Sequence, residues 1–246
     1  MEQKYIQYIA EIEDEHWWYK GRRALISSLK NKLDLIPDSK ILEIGCGTGG
    51  NLEMLSSWGT INAVELDSQA RIAANLRKCC KVKYGKLPGD IVIPDDTKLI
   101  CMLDVLEHVE DDIAALVKIR EAADYDCKVL ITVPAYKFLW SQHDKDAHHF
   151  RRYTKTELEK KLTDAGFNIT FSSYFNSILF PVIFLIRVIK NQLQRIKSGD
   201  LQMPGRILNR ILFIIFSMES KIISTFPLPF GVSIIVIAEI NKVQET

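Results

Sequence analysis

The apolar positions of this chain follow two rhythms. Between residues 38 and 134, short apolar runs alternate with segments whose apolar residues recur at helical spacing. The runs at residues 40–44, 61–65, 82–84, 99–103 and 128–133 predict five strands, with helices near 69–77 and 111–124. Such alternation implies a parallel sheet covered on both faces. Upstream, residues 14–33 have helical character and carry His16-Trp17-Trp18-Tyr19, so residues 1–36 are expected to form an N-terminal helical cap. Downstream, a polar, aromatic stretch over 135–150 precedes Thr154-Lys-Thr-Glu157, a capping box that opens a helix closed by Gly166. Residues 167–175 and 233–240 predict a sixth and a seventh strand.

Between those last strands lies an insertion, residues 175–230, where a sheet of this kind would use a short connection. Val182, Leu185, Ile186, Ile189, Leu193 and Ile196 recur at helical spacing after Pro181, which suits a first turn. Ile207, Ile211, Ile214, Ile215, Met218 and Ile222 repeat the pattern, with Arg206, Arg210, Ser217 and Lys221 opposite. The bases Arg187, Lys190, Arg195, Lys197, Arg206, Arg210 and Lys221 outnumber the acids Asp200 and Glu219. Neither stretch reaches the roughly 20 apolar residues needed to cross a bilayer. A basic amphipathic pair can cap the domain, form a homodimer contact, or lie peripherally on an anionic membrane.

Composition narrows the class. A chain of 246 residues fits one domain with an elaboration, and 47% apolar residues supply a sizeable core and exclude disorder. With 32 basic and 31 acidic residues the net charge is +1, so no nucleic acid partner is expected. The start Met1-Glu2-Gln3-Lys4 is polar and the five cysteines are odd in number. Reduced thiols in a cytoplasmic protein are expected, with at most peripheral contact at the inner membrane face. None of the cysteines has zinc-finger spacing, and small buried hydrophobes are the expected role.

The chemistry begins straight after the first run, at Glu43-Ile-Gly-Cys-Gly-Thr-Gly-Gly50. Three alternate glycines at a strand end let the backbone turn sharply and approach a ligand closely, and the helix expected over residues 51–58 aims its N-terminus at the same crevice. Glu43 can accept ribose hydroxyls but would repel a pyrophosphate, which favours S-adenosylmethionine over a dinucleotide. In Ala63-Val-Glu65-Leu-Asp67, some twenty residues on, Glu65 has the register to accept both ribose hydroxyls and Asp67 that of a helix N-cap.

This glycine motif, the acid in Val64-Glu65, and Asp104-Val-Leu-Glu107-His108-Val109 at the fourth strand together resemble the class I S-adenosylmethionine-dependent methyltransferases. His16-Trp-Trp-Tyr19 with Arg22-Arg23, Leu139-Trp-Ser-Gln-His143-Asp144, His149-Phe-Arg151-Arg152-Tyr153 and Leu228-Pro-Phe-Gly-Val-Ser-Ile are similar to a methyltransferase type 11/12 subgroup. Members of that subgroup are often found beside sugar, polysaccharide or lipid-modifying enzymes. The resemblance implies one α/β domain over 1–246, a seven-stranded doubly wound Rossmann-like sheet with its last strand antiparallel. It implies S-adenosylmethionine held by Glu43, Gly45, Cys46, Gly47, Gly49, Asn51, Glu65 and Leu66. Lys86 and Leu87 would flank the adenine, and Leu103, Asp104 and Val105 would sit at the methionine end. Many relatives place an acid near the adenine amino group after strand three, where this chain has only a displaced Asp90.

Methyl transfer is an in-line displacement, so an enzyme mainly positions reactants and removes an acceptor proton. His108, His143 and His149 are the candidate bases. Trp17, Tyr19, Arg22, Trp140, Asp144, Arg151, Arg152 and Tyr153 are the candidate acceptor-binding residues; the arginines could hold an anion, or pair with Asp144 and Asp146 to stiffen the loop. The acid-x-x-Glu-His element also resembles that of metal-dependent RNA 2′-O-methyltransferases, but it occurs in metal-free relatives too, and no metal ligand is assigned. The expected reaction is O-methylation of a small or lipid-linked acceptor such as a sugar or glycolipid. Alternatives are N-methylation of an amine or peptide N-terminus, and a non-catalytic, membrane-associated cofactor-binding module.

Overall fold

A computed structural model describes residues 3–193 and 202–240, with no side-chain description for 190–193. The sheet contains β1 (Lys40–Ile44), β2 (Thr60–Glu65), β3 (Val82–Tyr84), β4 (Thr97–Leu103), β5 (Lys128–Pro134), β6 (Phe167–Phe175) and β7 (Ser233–Ile240), in the order β3-β2-β1-β4-β5-β7-β6. The pairs among β1 to β5 are parallel, whereas β7 runs antiparallel between β5 and β6. This is the seven-stranded, doubly wound Rossmann-like sheet expected from the sequence, with its last strand antiparallel. The central strands are apolar throughout because both faces are covered: all of β5 from Val129 to Pro134 is buried. β4 starts two residues before the apolar run that marks it.

Three helices of the sheet layers are α3 (Leu52–Ser56), α4 (Ser68–Leu76) and α5 (Asp112–Ala122). Asp67 caps α4, accepting from the amides of Gln69 (2.8 Å) and Ala70 (3.1 Å). After β5 come α6 (Gln142–Asp146) and α7 (Lys155–Asp164), and α7 opens on the Thr154/Glu157 capping box. Gly166, at φ +91°, turns the chain into β6. All five cysteines are free.

The N-terminal cap is two helices, not one. α2 (Trp17–Ser28) begins where His16 accepts from the Trp18 amide, and α1 (Gln3–Ile12) precedes it. The insertion holds α8 (Phe180–Leu193), α9 (Arg206–Met218) and α10 (Ser220–Ile223). None of the described helices is long and apolar enough to cross a membrane. The expectations for Arg195, Ile196, Lys197, Asp200, Met1 and Glu2, and for the Lys190 and Leu193 side chains, lie outside the described residues.

α9 carries two apolar faces. Phe216 is fully buried, stacked on Trp18 at 5.5 Å between ring centroids, and Leu212 and Ile215 pack beside it. A Cβ on Gly21 of α2 would strike the Phe216 ring, so only glycine admits this close crossing. The other face, Ile207, Ile211, Ile214 and Met218, is exposed, as are Val182, Leu185, Ile186 and Ile189 of α8. The insertion is therefore part of the core on one side and an uncovered apolar surface on the other. Glu219 is buried and accepts from the Ile178 amide, so it does not offset the outer bases Arg206, Arg210 and Lys221.

Candidate functional site

A cavity of about 1320 Å³ opens at the carboxyl ends of β1, β2, β4 and β5, where open α/β sheets bind their ligands. Its floor is the loop after β1. Gly45 (φ +69°) and Gly47 (φ +56°) have the left-handed backbone that glycine alone adopts freely. The amides of Gly45 and Cys46 both donate to the Val64 carbonyl, at 2.8 and 3.2 Å, which ties the loop to β2. A Cβ at Gly45 would meet Val105 at 2.8 Å; at Gly47 it would meet nothing within 4 Å and would point a larger side chain into open space.

Glu65, 9% exposed, closes this side. One carboxylate oxygen accepts the Gly47 amide and the other the Asp67 amide, both at 2.8 Å. A carboxylate accepts about four hydrogen bonds, so Glu65 keeps capacity for two hydroxyls. Cys46, Asn51, Leu66, Lys86, Leu87, Leu103, Asp104 and Val105 also line the cavity. This glycine cradle and acid fit a nucleoside cofactor.

Glu43 and Gly49 do not line it. Glu43 is 1% exposed behind the wall, accepting from Asn51 Nδ2 at 2.9 Å, because the alternation of β1 turns it inward. From there a buried polar chain crosses beneath the cavity. Arg22 donates to Asn51 Oδ1 (3.4 Å) and to Asp104, which also accepts from Thr132 Oγ1 (3.0 Å). Asp104 has φ +61°, a strained conformation that asparagine and aspartate tolerate best, and it turns the chain out of β4 at the cavity edge. Asp90 is exposed and bridged to Lys86 by backbone hydrogen bonds, outside the cavity.

Burial pushes the Glu43 carboxyl up to about 7, against which the Asn51 bond and the Arg22 charge act only in part. Its folded value lies above the unfolded 4.5, so its contribution is most favourable at low pH and is lost as pH rises towards 7. At about 1.4 kcal/mol per unit, Glu43→Gln should gain roughly 2–3 kcal/mol on the wild type between pH 5 and pH 8. Urea unfolding at the two pH values measures this; a constant difference would mean that Glu43 titrates normally.

The opposite wall is a histidine cluster on the turn after β4 and on the α6 segment. His108, His143 and His149 all line the cavity, with the His149 ring 4.5 Å from His108 and 5.7 Å from His143 between centroids. Burial, helped by neighbouring His149, pushes His108 down to about 3. His149 Nδ1 donates to Asp144 Oδ1 at 2.9 Å, and Tyr5 Oη lies 3.3 Å from His143 Nδ1. Burial alone would raise the Asp144 carboxyl, but the bonds from His149 and Arg152 outweigh it and hold it well below the usual carboxylate range.

The candidate acceptor residues separate. Trp17, Tyr19, Arg22 and Arg152 line the cavity; Trp140, Asp144, Arg151 and Tyr153 do not. Arg152 grips Asp144 through Nε (2.7 Å) and Nη2 (3.0 Å), while Arg151 pairs with Asp112 at 3.0 Å. Tyr153 donates to Asp112 Oδ2 at 2.8 Å. Arg151 and Tyr153 thus fasten the loop to α5. The pattern of the sequence had not marked Tyr5, Ile9 and Glu13 near α1 or Ile183 of α8, and it had marked Ile186 only as part of an apolar helix face; all five line the cavity. The apolar spacing of Ile6, Ile9 and Ile12 was the available signal for α1.

A family model described as "Methyltransferase domain" matches residues 17–171, more than half of the chain. Comparison with curated proteins finds no match. Among solved structures, a chain of the complex between the Haloferax volcanii Trm112 methyltransferase activator and a methyltransferase is similar at 12% identity, covering 99% of this chain and 97% of that one, with a TM-score of 0.62. Haemonchus contortus phosphoethanolamine N-methyltransferase 2 in complex with S-adenosyl-L-methionine is similar at 15% identity and TM-score 0.56, over 87% of this chain and 51% of that one. Streptomyces coelicolor A3(2) geranyl diphosphate C-methyltransferase, in complex with Mg²⁺, geranyl-S-thiolodiphosphate and S-adenosyl-L-homocysteine, is similar at 11% identity and TM-score 0.56, over 86% and 73%.

Proposed function

The chain belongs to the methyltransferase-domain family and uses S-adenosylmethionine as methyl donor; on that premise we propose that it methylates an oxygen of a small or lipid-linked acceptor, such as a sugar or glycolipid. The observation that carries this reading is the course of the cavity. It runs from the glycine loop, past the three histidines, to Ile183, Ile186 and Arg187 on α8 of the insertion. The outer faces of α8 and α9 are the exposed apolar stripes, with Arg206 and Arg210 alongside. An acyl or prenyl chain can therefore remain in an anionic membrane while its head group reaches the histidines.

In this reading Gly45, Cys46, Gly47 and Asn51 cradle the cofactor, Glu65 takes its ribose hydroxyls, and Lys86 and Leu87 flank its adenine. Glu43 and Gly49 act from behind the wall, through Asn51 and the loop backbone. Bound there, S-adenosylmethionine supplies an electrophilic methyl group. Asp104 and Val105 shape the methyl-bearing end, and Trp17, Tyr19, Arg22 and Arg152 border the acceptor. His149 or His143 takes the acceptor proton, and Asp144 holds the His149 ring in orientation.

Flotation with anionic liposomes tests the acceptor class. The wild type should float. A chain with Ile207→Glu and Ile214→Glu, both on the exposed face, should not, while binding S-adenosylmethionine as before. These substitutions are preferable to shortening the insertion, which would remove buried Phe216 and Ile223 from the core. Absence of flotation by the wild type would end the lipid-linked reading. A Gly47→Arg chain, its new side chain filling the cradle, should lose cofactor binding in calorimetry; unchanged binding would sink the site assignment.

A further inference from the structure

One residue at the histidine wall has no role in the reading above. Glu107 is fully buried, yet it lines the cavity. Neither carboxylate oxygen has a hydrogen-bond partner of normal geometry among the described residues, and its own backbone amide is the one backbone donor acting on it. A carboxylate out of water without partners is costly unless it is paired or coordinates a metal. The guanidinium groups of Arg152 and Arg22 offset its charge only in part, and the adjacent imidazoles of His108 and His149 do not neutralise it unless protonated.

Geometry supplies what is missing. One ligand atom each from Glu107, His108 and His149 lie within 4.8 Å of one another. Bonds of about 2.1 Å around one ion need ligand atoms roughly 3–4 Å apart, a small closure for side chains on two loops. Both imidazoles are also held as ligands usually are. His149 gives its Nδ1 proton to Asp144, and a ring nitrogen of His108 donates to the Ala147 carbonyl. Each keeps its second nitrogen for an ion, and such outer partners fix tautomer and ring orientation. The loop itself is fastened, with the Phe150 amide donating to the Glu107 carbonyl at 2.8 Å.

We propose that Glu107, His108 and His149 form a binding site for one divalent first-row transition ion, of the manganese-to-zinc class, on the acceptor side of the cavity. Two imidazoles with one carboxylate favour these ions over magnesium or calcium, which take oxygen ligands. Three protein ligands leave positions open towards the cavity. The proposal rests on the methyltransferase reading for its use. The ion would hold the acceptor hydroxyl and lower its pKa as it lowers that of water. His149 is then committed to the ion, and His143 receives the proton as the O–H bond breaks. The carbon–oxygen bond forms as the carbon–sulfur bond breaks, its electron pair returning to sulfur.

Cobalt(II) is the probe. The full-length chain, treated with EDTA and dialysed, should take up one Co²⁺ with a visible d–d absorption band that Zn²⁺ abolishes by displacement. Glu107→Gln, which keeps the shape but loses the charge, should weaken uptake at least 100-fold, and so should His149→Asn. The circular dichroism spectrum of each variant reports its fold, and wild-type uptake is read independently of both. No uptake by the wild type, or uptake unchanged in both folded variants, overturns the proposal. Calorimetry with S-adenosylmethionine on the EDTA-treated chain separates the two readings. Cofactor binding without Co²⁺ uptake leaves the methyltransferase reading intact and returns His149 to the role of base.

Discussion

Replacing Glu65 by alanine is expected to weaken S-adenosylmethionine binding by about two to three orders of magnitude. Two losses combine. Charge-assisted hydrogen bonds to two ribose hydroxyls contribute roughly 1.5–3 kcal/mol each when made, and part of that is recovered by water in the variant. The second loss is in preorganisation: Glu65 accepts the Gly47 and Asp67 amides at 2.8 Å each, so it fixes the cofactor loop relative to the start of α4 before any ligand arrives. Without it the loop must be ordered at the expense of binding energy. Glu65→Gln should fall between, because an amide group would turn N–H towards one of those two donors. Calorimetry at one salt concentration measures all three chains. An alanine variant within threefold of wild type would remove Glu65 from the cofactor site.

The elements set by local signals could be read directly from the residues. Alternating apolar runs marked seven strands, and the Thr154/Glu157 capping box, the Asp67 cap and Gly166 stand where their chemistry requires. What failed to be legible depends on direction. Glu43 and Glu65 are both acids near strand ends, but Glu43 is buried behind the cavity wall against Asn51 while Glu65 faces the cavity. Arg151 and Arg152 are adjacent and so diverge, one to Asp112 and one to Asp144. In α9 the spacing of Ile207, Ile211, Ile214 and Met218 announced an apolar stripe, but not that Leu212, Ile215 and Phe216 would be the face turned to the core. Periodicity identifies a stripe; only the tertiary arrangement decides which stripe is covered.

The same divergence makes Asp144 the most consequential residue for stability at the site. Asp144→Ala is expected to cost about 3–5 kcal/mol, because removing one partner of a buried pair strands the other. The Asp144 side chain is fully buried and that of Arg152 is 2% exposed, leaving the guanidinium without its counter-charge and little access to water. The Ser141 amide, which donates to Asp144 at 2.8 Å, and His149 Nδ1 would lose their acceptor as well. For a chain of this length the melting temperature should fall by roughly 6–20 °C. Asp144→Asn, which retains the shape and one acceptor oxygen, should cost less. Adding Arg152→Met to Asp144→Ala should recover part of the loss, since the stranded charge disappears with its partner. Urea unfolding of the four chains gives the coupling as a double-mutant cycle, expected at about 2–3 kcal/mol. A single-variant cost below about 1 kcal/mol would show that the histidine wall does not depend on this pair. In that case the orientation of His149 must come from the Phe150–Glu107 and Tyr153–Asp112 attachments instead.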